Sequence, residues 1–223
     1  MQAASDHWYE EYLGRERFAS FLEAADGDRS QAVALVEWDR DMRGELQKGL
    51  GEWEIALRNA YDAVISSWWQ GDQHWLLDPQ SPVRRPILRD GVDINAKTRH
   101  AIAKAVRYAR GDTSAGQLIA NLTLDFWRYL TVTSREKSLW VPALHRAYNQ
   151  GASRQKIDHE VNMLYRLRNR VAHHEPIIRQ PAQRLAVRLF LSCEEIRPEL
   201  GDEMLRRHTI VALWEKRPVP WKE

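Results

Sequence analysis

Leu164-Tyr-Arg-Leu-Arg-Asn-Arg-Val-Ala-His-His-Glu-Pro-Ile177 gathers Arg168, Asn169, His173 and His174 near the end of one helical segment, and Pro176 stops that segment. These side chains suit a phosphodiester. Arginine offers a planar fork of donors that matches phosphate oxygens. An imidazole titrates near neutrality and can give or take a proton. Asn169 and His173 lie four residues apart and share a helix face, whereas Arg168 and His173 lie five apart, about 140° around an ideal helix. The latter two converge only if the helix frays at His173, if Arg168 reaches round, or if a second chain completes the site. Pro176 favours fraying, because the residue before a proline is biased away from helix.

The spacing alone is a weak signal, since Arg154 and His159 repeat it. Context separates the two. Arg154 follows a Gly-Ala-Ser turn at an expected helix start, whereas Arg168 precedes an Asn and a His pair at a helix end. The same residues also suit a plain basic helix end, with His173 or His174 bonding the last carbonyls.

The motif helix is expected over residues 153–172. Leu46, Leu50, Trp53, Leu57, Tyr61 and Val64 recur at three- and four-residue steps, the core stripe of a long helix from a cap at Ser30 to about Trp69, with a kink possible at Gly49 and Gly51. Further helices are expected over 6–24, with Tyr9, Tyr12, Leu13 and Phe21 inward, and over 94–110, 114–130, 134–149, 181–197 and 202–215. Between them, 71–93 is a long irregular stretch rich in Pro and Arg, of the kind that is functional or mobile. No segment alternates with period two, so the chain reads as all-α. Trp53 and Trp127 are assigned to the core, and the roles of Trp69 and Trp75 stay open.

The net charge of +2 is unevenly spread. Residues 1–62 carry 7 basic against 14 acidic side chains, while 82–110 carry 8 basic against 2 acidic. The basic segment reads either as a solvated face or as a polyanion-binding surface built from Arg84, Arg85, Arg89, Lys97, Arg99, Lys104 and Arg107. No apolar run approaches a membrane span, and the polar N-terminus lacks a signal-peptide core. The single cysteine, Cys193, shares an apolar face with Leu185, Leu189 and Ile196 and suits a core thiol in a reducing cytoplasm. His173-His174-Glu175 lacks metal-ligand spacing on a helix, so neither a metal nor a cofactor is expected.

Arg168-Asn-Arg-Val-Ala-His173 resembles the Arg-x4-6-His signature of the HEPN superfamily, whose active members are metal-independent RNases. Two further stretches, Leu46–Ala60 and Gly116–Leu130, resemble in order the blocks of its Abi-like (abortive infection) family. The likeness runs from about Leu35 to Ile177. The chain departs from the family pattern at Val36-Glu37-Trp38-Asp39, where an aromatic residue and Asn usually flank the Trp, and at Leu124-Asp125-Phe126-Trp127, where Phe-Gly-Phe-Trp is usual.

The resemblance implies a HEPN-like helical bundle with flanking helices in one domain, residues 1–30 being an N-terminal extension and 178–223 C-terminal helices. It implies a cytoplasmic, toxin-like endoribonuclease of phage defence or a toxin–antitoxin system, leaving 2′,3′-cyclic phosphate and 5′-hydroxyl ends. Arg168 would stabilise charge on phosphorus, His173 would transfer the proton and Asn169 would orient the site. His174 and Glu175 would contribute less. Glu54, Arg58 and Asn59 form either a polar layer facing the site or, for the first two, a plain helix salt bridge. The implied partners are RNA, a second copy of the chain, and an antitoxin or regulator. The rivals are a non-catalytic RNA- or protein-binding module and a regulatory partner on the same fold.

Overall fold

The computed structural model describes residues 7–111 and 114–221, and among these the fold is all-α with one two-stranded ribbon. The expected start of the first helix at Asp6 lies outside the described residues. Helices α1 (His7–Leu13) and α2 (Arg15–Ala24) occupy the rest of that span, parted at Gly14, whose φ of 83° leaves the helical region. Tyr9, Phe18 and Phe21 are buried, but Tyr12, expected inward, is exposed.

Helix α3 (Arg29–Trp68) is a single 40-residue helix. Its start is capped by Asp28 and not by Ser30: the Asp28 carboxylate accepts the Gln31 N–H at 3.0 Å. Leu46, Leu50, Trp53, Leu57 and Tyr61 are fully buried as the stripe requires, each aliphatic side chain contributing about 1.5–3 kcal/mol by leaving water. The stripe continues through Ile65, whereas Val64 is half-buried. Gly49 has a packing reason to be small, because a Cβ there would meet Leu189 and Met204 at 3.0 and 3.1 Å.

The chain divides into two compact units. The first takes the residues up to Gly51, Arg166–Leu191 and those from Asp202 on. It holds α1, α2, the first part of α3, the end of α7 (Arg154–Ala172), most of α8 (Ala182–Ile196), part of α9 (Pro198–Arg207) and α10 (Ile210–Glu215). Its core gathers Phe18, Phe21, Leu35, Met42, Leu46 and Leu189. Trp38 donates its indole N–H to the Leu213 carbonyl at 2.7 Å and meets Trp214 edge-on.

The second unit takes Glu52–Tyr165 and Ser192–Gly201. Here the expected loop 71–93 is held in place from beneath. Strands β1 (Leu88–Arg89) and β2 (Val92–Asp93) pair across Asp90-Gly91, both at positive φ, which is the turn an Asp-Gly pair favours. Arg135 is fully buried and donates to the carbonyls of Pro82 and Ile94 and to the Asn95 side chain, while Tyr129 lies against its guanidinium. Thr98 donates to the Val83 carbonyl at 2.6 Å. Those bonds satisfy loop backbone that α4 (Ala96–Tyr108) would otherwise leave unpaired.

The helix expected over 114–130 is two, α5 (Ala115–Asn121) and α6 (Leu124–Arg128), and 134–149 forms short 3-10 and π turns around Pro142. Trp75 is fully buried against Phe126 and Trp127 with its N–H on Asp62 at 2.7 Å, so it belongs to the core with Trp53 and Trp127. Cys193 is also core, and burial pushes its thiol up to about 12. Among the described residues, no helix is long and apolar enough to cross a membrane.

Candidate active site at the end of helix α7

Helix α7 does not fray at its motif. The His173 N–H still donates to the Asn169 carbonyl at 2.9 Å, so the backbone stays helical to that point. The chain then closes on itself. The His174 N–H returns to Val171 at 3.0 Å and the Glu175 N–H to Arg170 at 2.9 Å, the two bonds of a left-handed helix cap. His174 takes the left-handed position, with φ 57°. Glycine usually stands there; another residue costs about 1–2 kcal/mol, although His is among the types enriched there.

The segment beyond the cap is tied down on both sides. Arg170 donates to the Pro176 carbonyl at 3.2 Å and pairs with Glu175 at 3.3 Å, which places Glu175 in a local backbone clamp. The Ile177 N–H donates to Oδ1 of Asp39 at 2.7 Å, and the other oxygen of Asp39 accepts Nε of Arg43, also at 2.7 Å. Asp39 is fully buried. Burial pushes its carboxyl above the ordinary range, against the opposing pull of the Ile177 N–H and Arg43. No local pattern marks this role for Asp39, because its partner Ile177 lies 138 residues away.

Arg168 and Asn169 are half-buried, while His173 and His174 are exposed. Arg168 lies three and four residues before Val171 and Ala172, on one ridge of α7. Those two residues line a cavity of about 510 Å³ with His174, Arg40, Arg43 and Gln47. His174 is thus the imidazole on the cavity that Arg168's ridge leads into. In a regular helix His173 remains about 140° away from Arg168. Of the three routes to convergence, long reach and a second chain remain.

The other sequence candidates fall in the second unit. Glu54 and Arg58 form an i,i+4 ion pair, and Arg58 also reaches the Ala120 carbonyl at 3.4 Å, while Asn59 is exposed. The basic set divides by use. Arg84 donates to the Leu77 carbonyl, and Arg99 donates to the Arg84 carbonyl and pairs with Asp93. Hydrogen bonds from Arg99 and from two backbone N–H groups hold the Asp93 carboxyl down at about 2. Lys97 pairs with Asp125 at 3.0 Å. Arg85, Arg89, Lys104 and Arg107 stand exposed. Lys97 and Lys104 also border a second cavity, of about 240 Å³, with Tyr108, Asn121, Asp125 and Tyr129.

No known protein family, curated protein or solved structure matches the chain.

Proposed function

We propose that the protein is a metal-independent endoribonuclease of HEPN type, working through the capped end of α7. The observation that carries this reading is that Arg168, Asn169, His173 and His174 fall within the last turns and cap of one helix, where His174 lines a cavity bordered by Arg40 and Arg43. Cleavage of RNA without a metal needs a base, an acid and a cation. His173 takes the proton of a ribose 2′-hydroxyl, and the freed oxygen attacks phosphorus. The bond to the 5′-oxygen breaks, that oxygen receives a proton from an imidazolium, and the products are a 2′,3′-cyclic phosphate and a 5′-hydroxyl. Arg168 stabilises the charge that builds on the phosphoryl oxygens, and Asn169 orients the site. A second copy of the chain, facing the first across a two-fold axis, brings one copy's His173 towards the other's Arg168. The setting, a toxin-like component of phage defence or of a toxin–antitoxin pair in the cytoplasm, rests on the family resemblance, as does an antitoxin partner.

Incubation of the purified protein with total RNA in EDTA tests the reading. Fragments with cyclic phosphate ends are expected; 5′-phosphate ends, or loss of cleavage in EDTA, would sink it. A second reading, an RNA-binding module without catalysis, is favoured by the regular helix that holds His173 away from Arg168 on one chain. It requires a salt-sensitive shift of RNA with no cleavage at all.

A further inference from the structure

The cavity at the end of α7 has features that neither its arginine nor its histidine spacing explains. Arg43 is largely enclosed, its side chain 16% exposed, and it is held by a carboxylate that has no contact with solvent. That bond uses Nε only, and the two terminal amino groups of Arg43 make no hydrogen bond among the described residues. An arginine fixed by its Nε presents its remaining fork in one direction, which is how a guanidinium is prepared for two oxygens of one anion. The same carboxylate holds the Ile177 N–H, so Asp39 fixes both Arg43 and the exit of the segment that carries His174. His174 meanwhile keeps a left-handed backbone that glycine would adopt without cost. Backbone strain of that kind clusters at active sites and ligand clamps. Arg40 stands at the rim, and among the described residues only an exposed ion pair to Asp41, at 3.6 Å, competes for it.

We propose that Arg43, His174 and Arg40 form a phosphate subsite that grips the backbone of the RNA strand next to the bond being cut, with Asp39 as the positioning residue for Arg43. The subsite extends the ribonuclease reading above and rests on it for the identity of the strand. Arg43 donates its terminal N–H groups to the phosphate oxygens, His174 donates a ring N–H, and Arg40 adds charge at the rim. Gln47, also on the cavity, suits the ribose or base of the same nucleotide.

The test uses the full chain and a short RNA whose 2′-hydroxyls are replaced by hydrogen, so that binding is read without cleavage. Arg43→Lys keeps a cation for Asp39 and removes the fork; it should weaken binding about tenfold, the equivalent of one charged hydrogen bond. On cleavable RNA it should raise KM with kcat nearly unchanged, the pattern of a contact made before and during reaction. Asp39→Asn should raise KM in the same direction by a smaller factor, a split that a purely structural loss would not produce. Arg40→Gln, at an exposed position, should lower the salt dependence of binding by about one charge.

His174→Gly is the sharpest variant. Relief of the left-handed strain should raise Tm by about 2–4 °C, yet binding of the RNA should fall. His174→Gly with a raised Tm and unchanged binding would make the cap structural and overturn the proposal, as would Arg43→Lys binding as the wild type does. Inorganic phosphate separates the two sources of the anion. Displacement of the oligonucleotide by phosphate at equal concentration would assign the subsite to a free anion and overturn its link to the strand. If the wild type binds the oligonucleotide through these residues but cleaves no RNA, the ribonuclease reading fails and the subsite stands.

Discussion

Arg154 with His159 and Arg168 with His173 share one spacing on one helix, and they differ in burial and in what lies beside them. Arg154 is only 6% exposed, donates to the Thr131 carbonyl at 2.9 Å and lies beside Glu136 and Asp158. Its guanidinium is consumed by the fold, and His159 stands exposed without it. Arg168 is half-buried on the ridge that leads to a cavity, and the histidines after it mark the helix end. An arginine and a histidine at a given separation therefore say little by themselves. Depth of burial and the neighbouring cavity, not the spacing, tell the two pairs apart.

The comparison breaks first on activity. Alanine at His173 should remove cleavage by the ~10²–10⁴-fold that a positioned acid or base supplies. Alanine at Arg168 should cost a similar factor through lost charge stabilisation. His174→Ala should lose less, and His159→Ala nothing measurable, all read as initial rates on one RNA with circular dichroism as the folding control. A larger loss at His174 than at His173 would move the proton-transfer role to the imidazole that lines the cavity.

It breaks next on stability, with the roles reversed. Arg154→Ala strands the buried Thr131 carbonyl and should cost about 2–3 kcal/mol in urea unfolding. His159→Ala should leave the midpoint in place. A stability loss at Arg154 within a few tenths of a kcal/mol would mean that its burial is incidental.

The basic segment sharpens the same lesson about arginines already in use. Arg84 and Arg99 serve the loop's backbone, so replacing Arg84 would disturb folding as well as any ligand. Arg85→Gln with Arg89→Gln keeps the loop intact and should lower the slope of RNA affinity against salt by about two charges. An unchanged slope would make this face a solvated surface and no more.

Sequence periodicity found the parts of this molecule that repeat. The stripe from Leu46 to Tyr61 and the helix that carries the motif were legible because burial on a helix recurs every three or four residues. What it missed depends on single partners far away in the chain. Arg135 with Asn95 and Thr98, and Asp39 with Ile177, leave no periodic trace. Two local signals were present and went unused: Pro142, which breaks the helix expected over 134–149, and Asp90-Gly91, which turns a ribbon inside the stretch expected to be irregular. At the site, the residue types and their spacing were readable. The left-handed turn at His174 was not, because the Gly or Asn that usually signals such a cap is missing there.

The smallest effect concerns Asp39, the fully buried carboxylate that holds Arg43, whereas the carboxylates beside Arg154 are part exposed. Its folded-state carboxyl titrates above the ordinary value of 3.8, chiefly because burial disfavours the charge. A proton is then bound more tightly in the folded chain than in the unfolded one, so the contribution of Asp39 to stability is full below the ordinary value. It fades as pH rises through the higher, folded one. Acidification from neutrality into that window should therefore raise the stability of the wild type relative to Asp39→Asn, whose side chain does not titrate. Paired urea unfolding curves at several pH values, from about 4 to about 8, would read the difference. A wild type that loses stability relative to Asp39→Asn on acidification would mean that Arg43 and the Ile177 N–H outweigh burial. Asp39 would then be a bound anion whose ionised form is the stable one, and its hold on Arg43 would be stronger than the buried geometry implies.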